Sequence, residues 1–416
     1  RLAWRNAGRN LRRSALAGTA TAVATASVVM LFSLLAGMQA DIKSNLITYV
    51  TGELRVRHKD FERYEMLNPL HLNVDGAAET VAAIEAVPGV AAVTARAGVP
   101  GAVLLEDQRL PLRLVGTDFA REVRYSNLNE NVRAGDWQAV IDGADGGTNT
   151  RGPRVYPAAV GSGLMRRLGI ELGDQFTVLA GTSFRGSNAM TFEASAVITL
   201  PIASTNEMEA FIPLHAAQTL AGLPDQAMEI LIRVDPNADA RVVQERVAAL
   251  VQDQPVEVRY WEDMETTYTF VEMAQAAYNV IALFFFVLAS TVIVNTTMMV
   301  VFERRREIGT LAAMGMGPGR LVQLFFQEAL IIGTIGAVVG MAIGVGASAA
   351  LGRVGIDLSA AMEGVDFEIS NVIYPKISWY SSVGALVFAI LVSGLTSLIP
   401  SMKLSRIQPV EALRDE

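Results

Sequence analysis

The chain has 416 residues, 51% of them hydrophobic, and a mean hydropathy of +0.34 that is high for a purely soluble protein. Its formal charge of -8 is unevenly spread, because residues 41–273 carry 32 acidic and 20 basic side chains, net -12, and the remainder is net +4. No basic stripe marks a nucleic-acid surface, and the lack of cysteine excludes disulfides, cysteine-based metal sites and thiol nucleophiles.

Residues 1–14, with Arg1, Arg5, Arg9, Arg12 and Arg13, read as a basic interfacial helix. Residues 15–40 form the first expected transmembrane helix. Ala15 to Met38 is uncharged and longer than the roughly 20 residues a crossing helix needs. A signal peptide would share this basic start, but its apolar core spans only about 7–15 residues and a small-x-small cleavage site does not precede Asp41, so an uncleaved helix is expected.

Residues 41–273 have their own polar and apolar texture, enough for one or two compact domains. Leu54 to Arg57 alternates like a strand, Ala78 to Ala86 reads as an amphipathic helix closed by Pro88-Gly89, and Val90 to Val103 as one or two strands. Leu164 to Leu168 reads as a short helix, Phe176 to Leu179 and Phe192 to Leu200 as strands, Leu214 to Ala221 as a helix, Glu229 to Val234 as a strand and Ala238 to Val251 as a helix. The fold class expected is therefore an α-helical membrane protein of four transmembrane helices with a large extracytoplasmic α+β domain of two subdomains. Asp136 to Pro157, with Gly143, Gly146, Gly147 and Gly152, is expected to be a mobile loop between them.

Catalytic signals are missing from this domain. Gly161-Ser162-Gly163 lacks the glycine two residues before the serine that a nucleophile elbow needs. The acid pairs Glu106-Asp107 and Glu262-Asp263 are adjacent in sequence and expected to be solvated. His58, His71 and His215 stand far apart, without ligand spacing. A phosphate-binding Gly-x-x-x-x-Gly-Lys-Ser/Thr stretch does not occur, so any ATP that drives this protein must be bound by another subunit.

Residues 274–301 form the second expected span. The segment 302–320 follows, with a charged turn and then a short helix carrying Ile308, Leu311, Ala312 and Met314 on one apolar side, ended by Gly315 to Gly319. That side could lie in the membrane surface or dock into a partner's groove. The third span, 321–351, contains Gly333 and then Gly336, Gly340 and Gly344 at four-residue spacing, which lets a neighbouring helix approach closely, either within the chain or across a dimer. Glu328 in its first turns is expected to reach water at the interface. A loop, 352–378, leads to the fourth span, 379–402, and to a tail, 403–416.

Arginine and lysine cluster before span one, between spans two and three (Arg304, Arg305, Arg306, Arg320) and after span four (Lys403, Arg406, Arg414), while the loop 352–378 carries only Arg353 and Lys376. By the positive-inside rule both termini and 302–320 are expected in the cytoplasm, and 41–273 and 352–378 outside.

The stretch Phe302-Glu-Arg-Arg-Arg-Glu-Ile-Gly-Thr-Leu-Ala-Ala-Met-Gly-Met316 resembles the Glu-Arg-x-x-Glu-Ile-Gly signature of the ABC permeases typified by the lipoprotein-releasing and macrolide-exporter permeases, the type VII or FtsX-like family. Ala3 to Arg13, Ser405 to Leu413, and the outer phrases Ala86 to Val90, Leu114 to Asp118 and Leu168 to Asp174 also resemble that family, the outer ones leaning toward its lipoprotein-releasing branch. The resemblance implies a coupling helix that sits in a cleft of an ATPase, with Glu303, Arg304, Glu307, Ile308, Gly309, Leu311 and Met314 as coupling residues. It implies two permeases, alike or paralogous, and an ATPase subunit dimer that binds the ATP and magnesium, so that this chain is non-catalytic and binds no cofactor. It further implies a bacterial inner-membrane location, a lipoprotein substrate, a porter-like subdomain carrying an inserted one, and a periplasmic carrier or adaptor as a further partner. Macrolide-exporter members carry their ATPase fused ahead of span one, whereas here a separate ATPase is expected. Carrier-docking members use a protruding hook, and the matching stretch here, Ala180 to Asn188, is short and lacks proline. Acyl chains of a lipoprotein would meet a cavity between the outer halves of spans one and two, where Phe32, Leu35, Met38, Val271 and Tyr278 are the candidate lining residues. Export of drugs or peptides with an adaptor, and control of a cell-wall hydrolase, are the competing functions.

Overall fold

The computed structural model describes residues 11–65, 69–105, 108–145, 154–357 and 372–404. The basic stretch before Leu11, the Glu106-Asp107 pair, Gly146 to Gly152, the middle of the loop 352–378 and the tail after Leu404 lie outside the described residues. Asp41–Glu272 forms one compact unit, and the apolar helices before and after it form another.

The helical unit holds four helices long and apolar enough to cross a membrane. Their full extents are Leu11–Leu46, Glu265–Glu303, Pro318–Val354 and Trp379–Leu404. The first two run past the apolar stretches into polar sequence, because nothing in Asp41 to Leu46 or Glu265 to Glu272 breaks a helix. Span three starts with Pro318 in its first turn, where a missing N–H costs nothing, and stops at Gly355, whose φ of +79° favours glycine. Short strands Ile356–Asp357 and Val372–Ile373 pair after it. Trp379 and Tyr380 are exposed at the start of span four, as aromatic residues are at a membrane–water interface.

The α/β unit contains β1 Leu54–His58, β2 Val74–Asp75, β3 Val90–Leu105, β4 Gln108–Thr117, β5 Val132–Gly135, β6 Val155–Gly161, β7 Gln175–Gly181, β8 Ser187–Ile198, β9 Glu209–Pro213, β10 Gln226–Ala227, β11 Glu229–Val234 and β12 Val256–Tyr260. Strand order is β12-β1-β11-β3-β4-β9-β6-β8-β5, and β7 pairs with both β3 and β8. That extra pairing closes β3, β4, β9, β6, β8 and β7 into a ring of six strands, which leaves those strands no free edge. Alternate side chains fill the ring: Val99 and Val103 of β3, Leu112 and Leu114 of β4, Val160 of β6, Val178 of β7, Phe192 of β8 and Ile212 of β9. The helices Ser162–Leu168 and Leu214–Ala221 add Leu164, Leu168 and Leu220 to this core.

β3 belongs to both subdomains. Its first half, Val90 to Arg96, pairs with β11, and Arg96 to Leu105 pairs with β4. The β11 side is a second core, where Val56, Ile230 and Ile232 meet Val81 and Ile84 of helix Ala77–Glu85 and Val243 and Val247 of helix Ala240–Leu250. The segment Asp136 to Pro157, expected to be a mobile loop, is regular at both ends, and its middle, with Gly146, Gly147 and Gly152, lies outside the described residues. Trp137–Asp142 is a helix capped by Asp136, whose carboxylate accepts from the Gln138 N–H at 2.9 Å, with Val140 buried, and Val155 to Pro157 belong to β6. The glycines begin only at Gly143, after the apolar face of Trp137, Val140 and Ile141 is complete. The stretch Ala180 to Asn188 is the tight turn of the β7–β8 hairpin, closed by the Thr182 N–H donating to the Gly186 carbonyl at 2.9 Å.

The opposite face of the sheet is charged. Glu257, Arg57, Glu229 and Arg96 lie in register across β12, β1, β11 and β3, opposite signs side by side. Arg96 is buried and donates to Glu122 at 2.6 Å and, through its other terminal nitrogen, to the Tyr49 carbonyl at 2.6 Å. Glu122 is fully buried and also accepts from Thr94, Thr117 and Ser126. Burial pushes the Glu122 carboxyl up, but the Arg96 guanidinium and these hydrogen bonds outweigh it and hold the carboxyl below its ordinary value; Glu229 is depressed in the same way, by Arg57 and then Arg55. A carboxyl depressed in the folded state stabilises the fold above the ordinary glutamate value of 4.5, and that stability is lost as pH falls through the folded value. In urea titrations of the whole chain in detergent from about pH 6 to 3, the midpoint is expected to fall steadily below about pH 4.5. Glu122→Gln, which leaves Arg96 buried and unpaired, lowers neutral stability by about 3–5 kcal/mol and flattens that acid slope.

Candidate functional site

Span two ends at Glu303, and Arg304 bends the chain with φ -95° and ψ 16° into the helix Arg305–Ala313. The Arg304 carbonyl accepts the first hydrogen bond of that helix, from the Ile308 N–H at 3.0 Å. Ile308, Leu311 and Ala312 pack with Val301, Leu321 and Phe325, the ends of spans two and three. Ile308, Leu311 and Ala312 of its apolar side thus rest on the chain's own spans, whereas Met314, which the sequence pattern places on the same side, is left exposed. Of the seven residues named by the resemblance, Arg304, Ile308 and Gly309 are buried, Leu311 is half-buried, and Glu303, Glu307 and Met314 are exposed, Met314 at 71%.

Glu328 does not reach water. It is 2% exposed and pairs with Arg304, also 2% exposed. A carboxylate inside a helix bundle is costly unless it is paired, and the guanidinium 24 positions earlier supplies the pair. The void beside them, of about 30 Å³, is lined by Ala17 and Thr21 of span one, Thr297 of span two, Ile332 of span three and Ser393 of span four.

The glycine stripe of span three faces span one of the same chain. A Cβ at Gly336 would lie 3.0 Å from the Thr21 Cβ, one at Gly340 2.9 Å from the Ala22 Cα, and one at Gly344 2.9 Å from the Val29 Cβ. Gly333 turns the other way, where a Cβ would lie 2.6 Å from the Ser393 Cβ of span four.

Between spans one and two lies an apolar groove of about 430 Å³, lined by Val23, Val28, Leu31 and Leu34 of span one and Phe285, Leu288 and Val292 of span two, with Ile356 and Pro375 at one end. Ser27 is the polar side chain in it. Among the candidate cavity residues, Phe32 stacks on Phe286 with ring centroids 5.3 Å apart, Leu35 and Tyr278 are buried, and Met38 and Val271 are half-buried; none of the five lines this groove. Its lining escaped notice in the sequence because every residue of an apolar span looks alike until the helix faces are known. Among the described residues no cluster of His, Asp or Glu could hold a metal ion.

Two protein-family models match the chain: the MacB-like periplasmic core domain over residues 14–250 and the FtsX-like permease C-terminal domain over residues 279–409. The chain belongs to the family of ABC transporter permeases that these domains define. It is accordingly a membrane protein whose α/β unit is extracytoplasmic. It is similar to the uncharacterized ABC transporter permease YknZ of Bacillus subtilis, 31% identical over 115 residues that make up 27% of this chain and 25% of YknZ. The uncharacterized permease YvrN of the same organism is 32% identical over 117 residues, 27% of this chain and 24% of YvrN. The match thus spans about a quarter of the length of these relatives. Two solved structures are also similar. The extracellular domain of YknZ has a TM-score of 0.34 at 14% identity, covering 50% of this chain and 98% of that one; the periplasmic region of MacB from Actinobacillus actinomycetemcomitans has 0.37 at 11%, covering 55% and 97%.

The glycine contacts generate a direct expectation. Gly340→Val drives span three away from Ala22 and Thr25 of span one, and thermal unfolding of the chain in detergent should show a loss of about 1–3 kcal/mol. Gly346→Ala on the same helix, where a Cβ meets nothing within 4 Å, should be neutral or slightly stabilising.

Proposed function

We propose that this chain is the permease subunit of an ATP-driven transporter of the inner membrane, working with a separate dimer of ATPase subunits and a second permease copy or paralogue, and that it extracts lipoproteins from the outer leaflet. The observation that carries the ATPase partner is the helix Arg305–Ala313: Ile308, Leu311 and Ala312 fix it on its own chain, while Glu303, Arg306, Glu307, Thr310 and Met314 are exposed. An amphipathic helix held this way suits a cleft on a soluble partner. The arginines on both sides of span three's start favour placing that face, and both termini, in the cytoplasm.

A lipid-modified cargo is supported by the groove between spans one and two. Its lining is almost wholly apolar, and Val23, Met30, Phe285, Leu288 and Val292 are exposed at its walls, within reach of an acyl chain already in the bilayer. Each methylene moved from water into such a groove is worth about 0.8 kcal/mol, so an acyl chain can stay covered while a lipoprotein is lifted. On this reading closure of the ATPases moves the coupling helices, and the extracytoplasmic domains deliver the stroke without passing substrate from the cytoplasm.

The test is reconstitution with its partner ATPase, found by co-purification, in liposomes bearing a labelled triacylated lipoprotein. ATP-dependent release is expected, and Glu307→Lys, which reverses a charge on the exposed face, should abolish it while the fold and thermal stability are kept. Normal release by Glu307→Lys would overturn the coupling assignment. A stable complex with ATPase activity but no release would keep the permease and replace the lipoprotein cargo by export with an adaptor or control of a hydrolase.

A further inference from the structure

The geometry points to Arg304 and Glu328 as the positioning residues that hand displacement of the helix Arg305–Ala313 to span three, and through the glycine seam to span one. This rests on the reading of that helix as the coupling helix. Arg304 has two roles at one place in the chain. Its backbone is the bend where span two stops and the short helix starts, and its side chain crosses to Glu328, inside span three. Glu328 lies ten residues into its helix, about 15 Å from its start, so the pair extends the grip on span three by about one turn past the apolar cluster of Ile308, Leu321 and Phe325. All four spans contribute side chains to the void around the pair.

A charged pair in such surroundings resists separation far more than the apolar contacts near it, because either partner left alone would be an uncompensated charge in a medium of low dielectric. A push on the short helix is therefore more easily met by movement of span three than by opening of the pair. Span three in turn packs closely on span one at Gly336, Gly340 and Gly344, with no side chain of its own between the two backbones there, so that a shift of span three bears directly on span one. The route runs from coupling helix to Glu328, then along span three to span one, and it does not depend on bending span two. The Nε and Nη2 of Arg304 and the Oε2 of Glu328 have no partner among the described residues, and they border a void of about 30 Å³ that is also lined by Thr21, Thr297 and Ser393. That is room for about one water molecule, and the unpartnered donors and acceptor of the pair, beside the hydroxyl side chains that line the void, give it a second arrangement to switch into during a stroke.

Because the chain contains no cysteine, spin labels can be placed on exposed positions alone, at Met299→Cys on span two and Ala313→Cys on the short helix. In nanodiscs the labelled chain should give one narrow distance distribution. Glu328→Gln should broaden it at least about twofold and, in the complex with its ATPase, lower the substrate released per ATP hydrolysed about tenfold while hydrolysis itself continues. The exchanged pair Arg304→Glu/Glu328→Arg should recover the narrow distribution, a rescue that loss of a merely structural residue would not show. The neutral pair Arg304→Gln/Glu328→Gln leaves no buried charge alone and so remains measurable where the single variant fails to accumulate; it too should broaden the distribution. A distribution like that of the unaltered chain in either neutralised variant overturns the proposal. Failure of the unaltered chain to bind any ATPase would instead remove the transporter reading, and the label distances would still decide whether the pair holds the helix.

Discussion

Close approach of backbones inside the apolar layer is the constraint on which the helical unit depends. Lipid tails are as apolar as leucine, so helices there gain nothing from being driven out of water and must be held by contact. Span three achieves this on two sides, with Gly336, Gly340 and Gly344 against span one and Gly333 against Ser393 of span four. Span two has no comparable seam: Val280, Leu283, Phe284, Val287, Val292 and Met299 are all exposed along it. Just past its end, the Arg304–Glu328 pair ties it to span three.

In the extracytoplasmic domain the same chain solves the opposite problem, since water competes for every polar group. Closing six strands into a ring satisfies their edges and gives alternate residues a common interior, and the long β3 lets a second core grow from the same strand. Burying Arg96 and Glu122 adds little net stability over apolar residues of similar size, because desolvation offsets most of the attraction. What it supplies is placement. The Arg96 guanidinium is shared between Glu122 and the carbonyl of Tyr49, in the π-helical turn Ile47–Thr51, so that the turn is fixed to the sheet by a group with no other geometry available to it.

The spans were legible because an uncharged run of about 20 apolar residues matches the thickness of a bilayer and is longer than a buried core helix requires. Strands such as Glu229–Val234 were legible because alternation or continuous burial shows in their side chains. The ends of the spans were less so: Asp41 to Leu46 and Glu265 to Glu272 are polar, and only the structure shows the helices continuing through them. Ring closure was out of reach, since β7 finds β3 across more than 70 positions and nothing local marks that pairing. The burial of Glu328 is hidden from the sequence for a related reason. Its depth could be judged from sequence, but its partner, at the far side of a bend and a second helix, could not, and without a partner a carboxylate is expected to seek water. The helix Trp137–Asp142 was hidden by the glycines that follow it.

The signature around Glu303 combines two kinds of residue that a linear motif cannot separate. Ile308 and Gly309 are buried against the chain's own helices, and Arg304 is buried against Glu328, so substitutions there act on where the short helix lies. Glu303, Glu307 and Met314 are exposed, and substitutions there act on what the helix can touch. A small helix whose inner side is fixed by packing and an ion pair, and whose outer side is left to a partner, can move only as part of the spans that hold it. In the proposed coupling that attachment is what makes it a lever, and its length of nine residues would otherwise be too short to stay helical in water.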